Sequence, residues 1–126
     1  MIGFIIRYIP QMKKVKIKNI VDLPALFTSH GVGIKKTFIF GHESSDSLTQ
    51  YAYAKLKFGE IIESHSHSSM NEYFFVHSGK GDLITDQGQK KLKKGDFFNI
   101  PKGVKHQIKI SNEEDALELI YFGIAQ

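Results

Sequence analysis

The sequence predicts an all-β domain in which short antiparallel strands form a sandwich or a barrel. Runs of β-prone residues alternate with turn residues along most of the 126 positions. Glycines recur at intervals of seven or eight residues between Gly81 and Gly103, which is typical of regularly spaced turns in such folds. No segment shows a helical period of apolar residues over a useful length. We therefore expect strands joined by tight turns.

The amino-terminal segment is apolar but short. An arginine interrupts residues 2–9 and a proline ends them. About 20 apolar residues are needed to cross a bilayer, and the charge and cleavage pattern of a signal peptide is missing. We therefore expect an extended strand and a cytoplasmic protein. Met12 is an alternative start position, so residues 1–11 are read as an N-terminal strand or extension and residues 12–126 as a single barrel domain.

The rest of the chain divides into β-prone runs and turns. Its Asp-Leu-Pro sequence is a capping signal, so we expect one short helical turn near residues 22–27. Residues 41–50 are polar and are expected to form a loop. Residues 51–58 alternate, with tyrosines and lysines on one face. The opposite face carries Ala52, Ala54, Leu56 and Phe58. The other β-prone runs are residues 14–18, 34–40 and 116–124.

The composition excludes several classes of protein. The chain has no cysteine, so it has neither disulfides nor a thiolate nucleophile or ligand. Its 17 basic and 13 acidic residues give a net charge of +4, and the lysines alternate along strands as solvated faces do. No helix-turn-helix, zinc-finger or RNA-binding signature accompanies that charge. We therefore expect a small-molecule partner, with neither nucleic acid nor membrane as a partner.

Three histidines and one glutamate form a candidate metal site. His65 and His67 are two positions apart, so both imidazoles point to the same face if they lie on a strand. Glu72 follows a stretch that can turn the chain, and His106 begins a later β-prone run. Neutral imidazoles with one carboxylate suit a first-row transition metal such as Fe, Mn, Zn, Ni or Cu, without selecting among them. Such a set leaves positions open on an octahedral ion, where a substrate or dioxygen binds.

Two motifs that contain these four residues resemble the motifs of the cupin superfamily. A match at nine positions is specific, whereas a lone His-x-His would be weak. The departure is Ile110, which stands where the family often has Asn. Alternation places Ile108 and Ile110 on one face, so the barrel floor is expected to be more apolar than in many relatives. The first motif is carried by Gly59, His65, His67, Glu72 and Gly79, and the second by Gly95, Pro101, Gly103 and His106.

The resemblance implies a jelly-roll barrel, also called a double-stranded β-helix, with one divalent transition metal inside. The implied ligands are His65, His67, Glu72 and His106. The resemblance also implies a homodimer, since cupins of this kind are commonly dimeric. Cupins include dioxygenases, isomerases, decarboxylases and non-catalytic sensors, so the fold does not determine the reaction.

Six apolar residues are candidates for the wall of the metal cavity, with core packing as the alternative for each. His77 is expected to face away from the metal, and His30 and His42 fall in turns where we expect no catalytic role. Tyr51 and Tyr53 are candidates for a catalytic role only if their face lines the barrel. The six wall candidates are Phe58, Phe74, Val76, Phe98, Ile108 and Ile110.

Three functions from different classes are compatible with the sequence. We favour a small-molecule enzyme with dioxygenase- or isomerase-type chemistry on an oxygen-rich metabolite bound to the metal. Its candidate catalytic residue is Glu72, which can leave the metal or take up a proton during turnover. The alternative is a non-catalytic, metal-anchored binding module or sensor, because no catalytic residue is evident outside the ligands. A metal-free structural cupin is the least favoured.

Overall fold

The structure is a computed structural model that describes residues 15–44 and 46–126. Within these residues it contains nine β-strands and two 3₁₀ turns, which confirms the all-β class. The strand or extension expected for residues 1–11, like Met12, lies outside the described residues. The strands are β1 (Leu26–Phe27), β2 (Ile34–Phe40), β3 (Leu48–Lys57), β4 (Ile61–His65), β5 (Met70–Thr85), β6 (Gly88–Lys93), β7 (Phe97–Ile100), β8 (His106–Lys109) and β9 (Ala116–Ala125).

One long strand, β5, joins the two halves of the antiparallel barrel. The order across the sheet is β1–β2–β3–β9–β5–β8–β4, and β6 and β7 also pair with β5. Near its start, from Glu72 to Phe75, β5 pairs with β7 and β9. From Lys80 to Thr85 it pairs with β6, and from Asp82 onward with β8 as well. This exchange of partners curls the sheet around one interior and gives the expected jelly-roll form.

The exchange of partners on β5 occurs at Gly79. Its φ of +87° lies in the left-handed region, which glycine adopts without the steric cost of a side chain. A Cβ atom at this position would also overlap the carbonyl oxygen of Ala116 on β9. The pairing register shifts just before, between Val76 and Ser78. The bend between the two halves of the barrel therefore depends on a residue without a side chain.

Alternating side chains of the curled sheet fill its interior, as predicted for β3. Ala54 and Leu56 are at most 2% exposed, and they pair in register with Leu119 and Leu117 of β9. Ile108 of β8 closes the opposite side of the same core. Each square ångström of apolar surface removed from water contributes roughly 25 cal/mol to stability. The inward face of β3 and β9 therefore supplies both the core and one wall of the barrel interior.

The helical turn expected near residues 22–27 lies earlier in the chain. A 3₁₀ turn spans Ile20–Asp22, and the side chain of Asn19 caps it by accepting a hydrogen bond from the backbone N–H of Val21 at 2.9 Å. The turn ends at Leu23, which has an extended backbone because a proline ring disfavours helical geometry in the residue before it. The chain beyond the proline then forms β1 instead of continuing a helix.

The segment 41–50, expected to be a loop, also contains regular structure at both ends. A second 3₁₀ turn spans Gly41–Glu43, and the Glu43 carboxylate accepts a hydrogen bond from the backbone N–H of Phe40 at 3.1 Å. Strand β3 begins at Leu48.

In the described part of the chain, no helix is long and apolar enough to cross a membrane.

Candidate metal centre

The pairing of β4 with β8 brings the predicted metal ligands together. His65 ends β4 and His106 begins β8, and the two residues are opposite each other in the ladder. Glu72 lies near the start of β5, where it pairs with Ile100 of β7 and Gly123 of β9. His67 follows β4 in the short connection to β5. One ligand atom from each of the four residues lies within 4.8 Å of the ligand atoms of the other three.

These separations fit the coordination sphere of one transition ion. With bonds of about 2.1 Å, adjacent ligands of an octahedral ion are about 3.0 Å apart and opposite ligands about 4.2 Å apart. The Oε1 atom of Glu72 is 3.2 Å from Nε2 of His67 and 3.7 Å from Nε2 of His106. A contraction of a few tenths of an ångström would therefore place all four ligand atoms around one centre. The donor set of three imidazoles and one carboxylate is also the chemistry that such ions prefer.

Backbone carbonyls determine which ring nitrogen of two histidines faces the centre. Nδ1 of His65 is 2.8 Å from the carbonyl oxygen of Glu63, and Nδ1 of His106 is 3.0 Å from that of Val104. A carbonyl oxygen only accepts, so each Nδ1 must carry the proton and donate it. Nε2 of both rings is then left with a free lone pair, which is the arrangement that a metal-binding histidine requires.

The connection that carries His67 is anchored to the turn before β8. The backbone N–H of Gly103 donates to the carbonyl oxygen of His67 at 2.7 Å. The backbone N–H of Lys102 donates to Oδ1 of Asn71, also at 2.7 Å. These bonds fasten the segment between β4 and β5, and the start of β5, to the turn that precedes β8. The backbone that carries the His67 ring is thereby held in position although it lies outside a strand.

Burial makes the four-residue site largely uncharged in the absence of a cation. The Glu72 side chain is only 5% exposed, and this burial raises the pKa of its carboxyl group to about 7, against an opposing effect of the Lys35 charge. His106 is 1% exposed, and burial lowers its pKa to about 4. Burial, followed by repulsion from His65, also lowers the pKa of His67. His67 and His106 therefore keep their lone pairs at neutral pH, and Glu72 gains its charge easily once a cation is near.

The four residues border a cavity of about 70 Å³, which has room for an ion and a few atoms of a ligand. The apolar part of its lining is formed by residues of β3, β4, β5, β8 and β9. The polar part comes from the loop before β2, from β2, from the start of β3 and from β9. The apolar lining includes Ala54, Ile62, Met70, Phe74, Ile108 and Leu119, and the polar lining includes Thr28, Ser29, His30, Lys35, Gln50 and Tyr121.

The six candidates for the cavity wall are placed differently by the structure. Phe74 and Ile108 line the cavity. Phe98 lies behind the wall, because its ring stacks on that of Phe74 at a centroid distance of 4.7 Å. Val76 and Ile110 are buried in the core, away from the cavity lining. Alternation places Ile110 on the inward face. The cavity ends before this residue, and its side chain packs close to the backbone of β5.

The prediction that Phe58 faces the cavity is wrong. Its side chain is 50% exposed. Strand β3 ends at Lys57, and the chain turns at Gly59 with a φ of +86°. Alternation holds only within a strand, so the pattern that correctly buries Leu56 cannot be extended two residues into the turn.

The structure adds polar residues to the cavity that sequence reasoning missed or discounted, among them His30, Lys35, Gln50 and Tyr121. The ring of His30 lies 4.4 Å from the ring of His65. Burial lowers the pKa of His30, and nearby His65 and His67 lower it further. The tyrosine stacks on a wall phenylalanine at 5.2 Å, and burial raises the pKa of its hydroxyl. A loop histidine and a strand lysine carry no sequence signal that distinguishes them from solvated residues.

The other polar candidates lie outside the cavity. Tyr53 points to the outer face of the barrel, where its hydroxyl donates to the carboxylate of Glu118. His77 lines a groove on that outer face, as expected from its register. The ring of His42 stacks on Phe40 near the second 3₁₀ turn. None of these side chains lines the cavity at the four-residue site.

Sequence comparison connects the chain to a known domain. The family profile described as "Cupin domain" (Cupin_2) matches residues 52–123, which include all four candidate ligands. An uncharacterized protein of Aquifex aeolicus (strain VF5) is 28% identical over 104 residues, covering 82% of this chain and 84% of that protein.

Solved structures share the fold at low identity. A predicted oxalate decarboxylase from Thermotoga maritima is similar with a TM-score of 0.79 and 16% identity, over 88% of this chain and 100% of that one. The polyketide cyclase RemF from Streptomyces resistomycificus is similar with a TM-score of 0.76 and 16% identity, over 90% of this chain and 81% of that one. A sugar phosphate isomerase from Silicibacter pomeroyi is similar with a TM-score of 0.73 and 14% identity, over 88% of this chain and 76% of that one. At these identities the likeness concerns the fold.

Proposed function

Because this chain belongs to the Cupin_2 family of cupin domains, we propose that it is a metal-dependent enzyme acting on a small, oxygen-rich metabolite. The observation that carries the proposal is the convergence of His65, His67, Glu72 and His106 on one point at the edge of a cavity. A neutral, preorganised donor set beside a mostly apolar cavity with a few polar groups is the usual form of a catalytic site.

The four residues would hold one divalent ion, with Fe, Mn, Zn, Ni and Cu all compatible with the donor set. When bound, such an ion supplies Lewis acidity toward substrate oxygens, and Fe or Cu additionally supplies reactivity with dioxygen. The dioxygenase-type and isomerase-type reactions are therefore both proposed. The choice between them depends on the metal and the substrate rather than on the four ligands.

The remaining residues of the cavity would bind and orient the substrate. Phe74, Leu119 and Ile108 exclude water from one side. Gln50 and Tyr121 offer hydrogen-bonding groups on the wall. Because few atoms fit into about 70 Å³, only the reacting part of a larger metabolite would enter.

Glu72 is proposed to hold and move a proton at its Oε1 atom. The partner in this transfer would be the substrate, because Nε2 of His67, 3.2 Å from Oε1, would itself be occupied by the ion. Without a metal ion, burial raises the pKa of the Glu72 carboxyl group to about 7, so its protonated and charged forms are close in energy near neutral pH whenever the group is not bound to the ion. A carboxyl group poised in this way suits the proton transfers that isomerisation next to a carbonyl requires.

The test combines metal content with turnover. Protein purified without chelator is analysed for metals, then loaded with each of the five ions and assayed with diketones, catechols and hydroxy-ketones. Oxygen uptake reports dioxygenase activity, and NMR of the products reports isomerisation. Glu72→Gln should abolish turnover, whereas Glu113→Gln, at an exposed carboxylate in a turn, should not.

The outcomes distinguish the classes of function. Metal-dependent turnover supports the enzyme. Metal binding and ligand binding without turnover by any loaded form would favour the binding module or sensor. A wild-type protein that takes up no divalent ion under any condition would overturn both.

We also propose that the protein is a homodimer, as many cupins are. Support comes from an aromatic groove on the outer face of the barrel, where several large side chains are solvent-exposed. Exposed apolar groups in one patch commonly mark an interface. Light scattering on the full chain should give twice the monomer mass, and a monomer at micromolar concentration would contradict this proposal. The exposed groove residues are Tyr51, Phe75, Phe97 and Phe122.

A further inference from the structure

Lys35 has an unusual position for a lysine on a β-strand, because it lines the metal cavity. It lies on β2 directly opposite Ala54, which is 2% exposed and lines the same cavity. Two residues further along the same face, Thr37 is 7% exposed. Lys36, which lies between these two residues, points the other way. Its ammonium group donates a hydrogen bond to the carbonyl oxygen of Ile20 at 2.9 Å on the outer surface.

The Lys35 ammonium group has no ion-pair partner within the described residues. Salt bridges there involve Lys18 with Glu43, and the histidines of the site with Glu72. Partial burial lowers the pKa of the Lys35 ammonium group, and the nearby carboxylate of Glu72 opposes this lowering. If Glu72 ligates a metal ion, as proposed above, its charge is already engaged. A lysine that faces a cavity at partial burial without a counterion is costly, so the cavity should contain a compensating negative charge in the working state.

A charge count over the loaded cavity gives the sign and size of that compensation. A divalent ion brings two positive charges, Glu72 removes one, Lys35 adds one, and the three histidine ligands are neutral. The cavity would therefore carry a net charge of about +2 before a ligand enters, in a setting where charges are poorly screened. A neutral sugar or ketone would leave this excess in place, whereas an anion would remove it.

We propose that the cavity binds a small carboxylate anion, with one end at the metal and its negative charge held by the ammonium group of Lys35. This inference rests on the proposed function, since it names the substrate class of the same site. Gln50 and Tyr121 line the same cavity and can donate further hydrogen bonds to a carboxylate. The limited cavity volume favours a compact acid, such as a short dicarboxylate or a hydroxy or keto acid.

The test uses Co²⁺-loaded protein, because the visible absorption of Co²⁺ changes when a ligand enters its coordination sphere. Malonate serves as the anionic probe and imidazole as a neutral one. Wild type, Lys35→Met and Lys36→Met are titrated with each probe. The two variants lose one positive charge from adjacent positions of β2, but only Lys35 faces the cavity.

We expect Lys35→Met to raise the Kd for malonate about tenfold or more, as loss of a hydrogen bond to a charged group typically does. Its Kd for imidazole and its Co²⁺ content should match wild type, and Lys36→Met should bind both probes as wild type does. Malonate affinity within twofold of wild type in Lys35→Met, or an equal loss for imidazole, would overturn the inference. Failure of the wild type to take up Co²⁺ would instead count against the metal site, so the two failures are distinguishable.

Discussion

Glu72→Gln should stabilise the metal-free protein while removing its response to metal. The side chain is 5% exposed, and burial raises the pKa of the carboxyl group from 4.5 to about 7. A raised pKa means that the folded protein holds the proton more tightly than the unfolded chain does. Stability from this group is therefore fully present below pH 4.5 and is lost as the pH rises through 7. Gln has almost the same shape and no charge, so it avoids this loss.

The magnitude follows from the size of the shift. A difference of about 2.5 pH units, at 1.36 kcal/mol per unit, amounts to about 3 kcal/mol at pH 8 as an upper estimate. For a domain of this size, that corresponds to a rise in Tm on the order of 10 °C. At pH 4 the wild-type carboxyl group is protonated, and the two proteins should melt at nearly the same temperature.

Thermal melts of metal-free wild type, Glu72→Gln and Glu113→Gln at pH 4 and pH 8 test this reasoning. The exposed Glu113 serves as the matched loss of one carboxylate. A metal in hundredfold excess over its Kd should add about 2.7 kcal/mol to wild-type stability and little to Glu72→Gln. A metal-free Glu72→Gln protein that is less stable than wild type at pH 8 would refute the argument that burial of the charge is costly.

Three further predictions follow from the geometry of the site and the barrel. His106→Ala should lose metal binding, as measured by elemental analysis. It should also destabilise the metal-free fold by about 2 to 4 kcal/mol in urea unfolding, because the ring is 1% exposed and its removal leaves a cavity. Metal affinity should rise between pH 5 and pH 8, because the proton on Glu72 must leave before the carboxylate can bind the ion. His106 contributes little to this rise, because its pKa of about 4 leaves the ring neutral over the whole range. Calorimetry in two buffers would show the proton release, and an affinity that does not change with pH would contradict the prediction. Gly79→Ala should destabilise the protein by about 3 kcal/mol or more in urea unfolding, because the new Cβ atom meets the carbonyl oxygen of Ala116. Gly88→Ala is the control, and it should lower the free energy of unfolding much less, because no atom lies within contact distance of its new Cβ.

The candidate site was partly predictable because its ligands occur at short and characteristic spacings. His65 and His67 are two residues apart, so a strand-like backbone alone directs both rings to one side. Gly103 and His106 are also close in the chain, and the turn between them is local. The structure adds that Val104, inside this second motif, supplies the carbonyl that orients the His106 ring. That detail depends on the conformation of the turn rather than on its spacing.

The rest of the cavity was not predictable, because residue type and exposure usually agree and here they do not. Lys35 is a lysine on a strand, for which solvent exposure is the ordinary expectation. It faces inward only because β2 pairs with β3 in the register that sets it opposite Ala54. Phe58 is the converse case, an apolar residue that the end of β3 leaves exposed.

The sequence by itself determined the all-β class, the four candidate ligands and the family, because turn glycines and ligand spacings are local properties of the chain. Tertiary structure decided which faces turn inward and which distant residues meet, such as His30 beside His65. Alternation shows which residues of a strand share a face, but the side on which that face packs depends on its pairing partners. Those partners, β2 with β3 and β3 with β9, are distant in the chain, so the polar half of the cavity was visible only in the folded barrel.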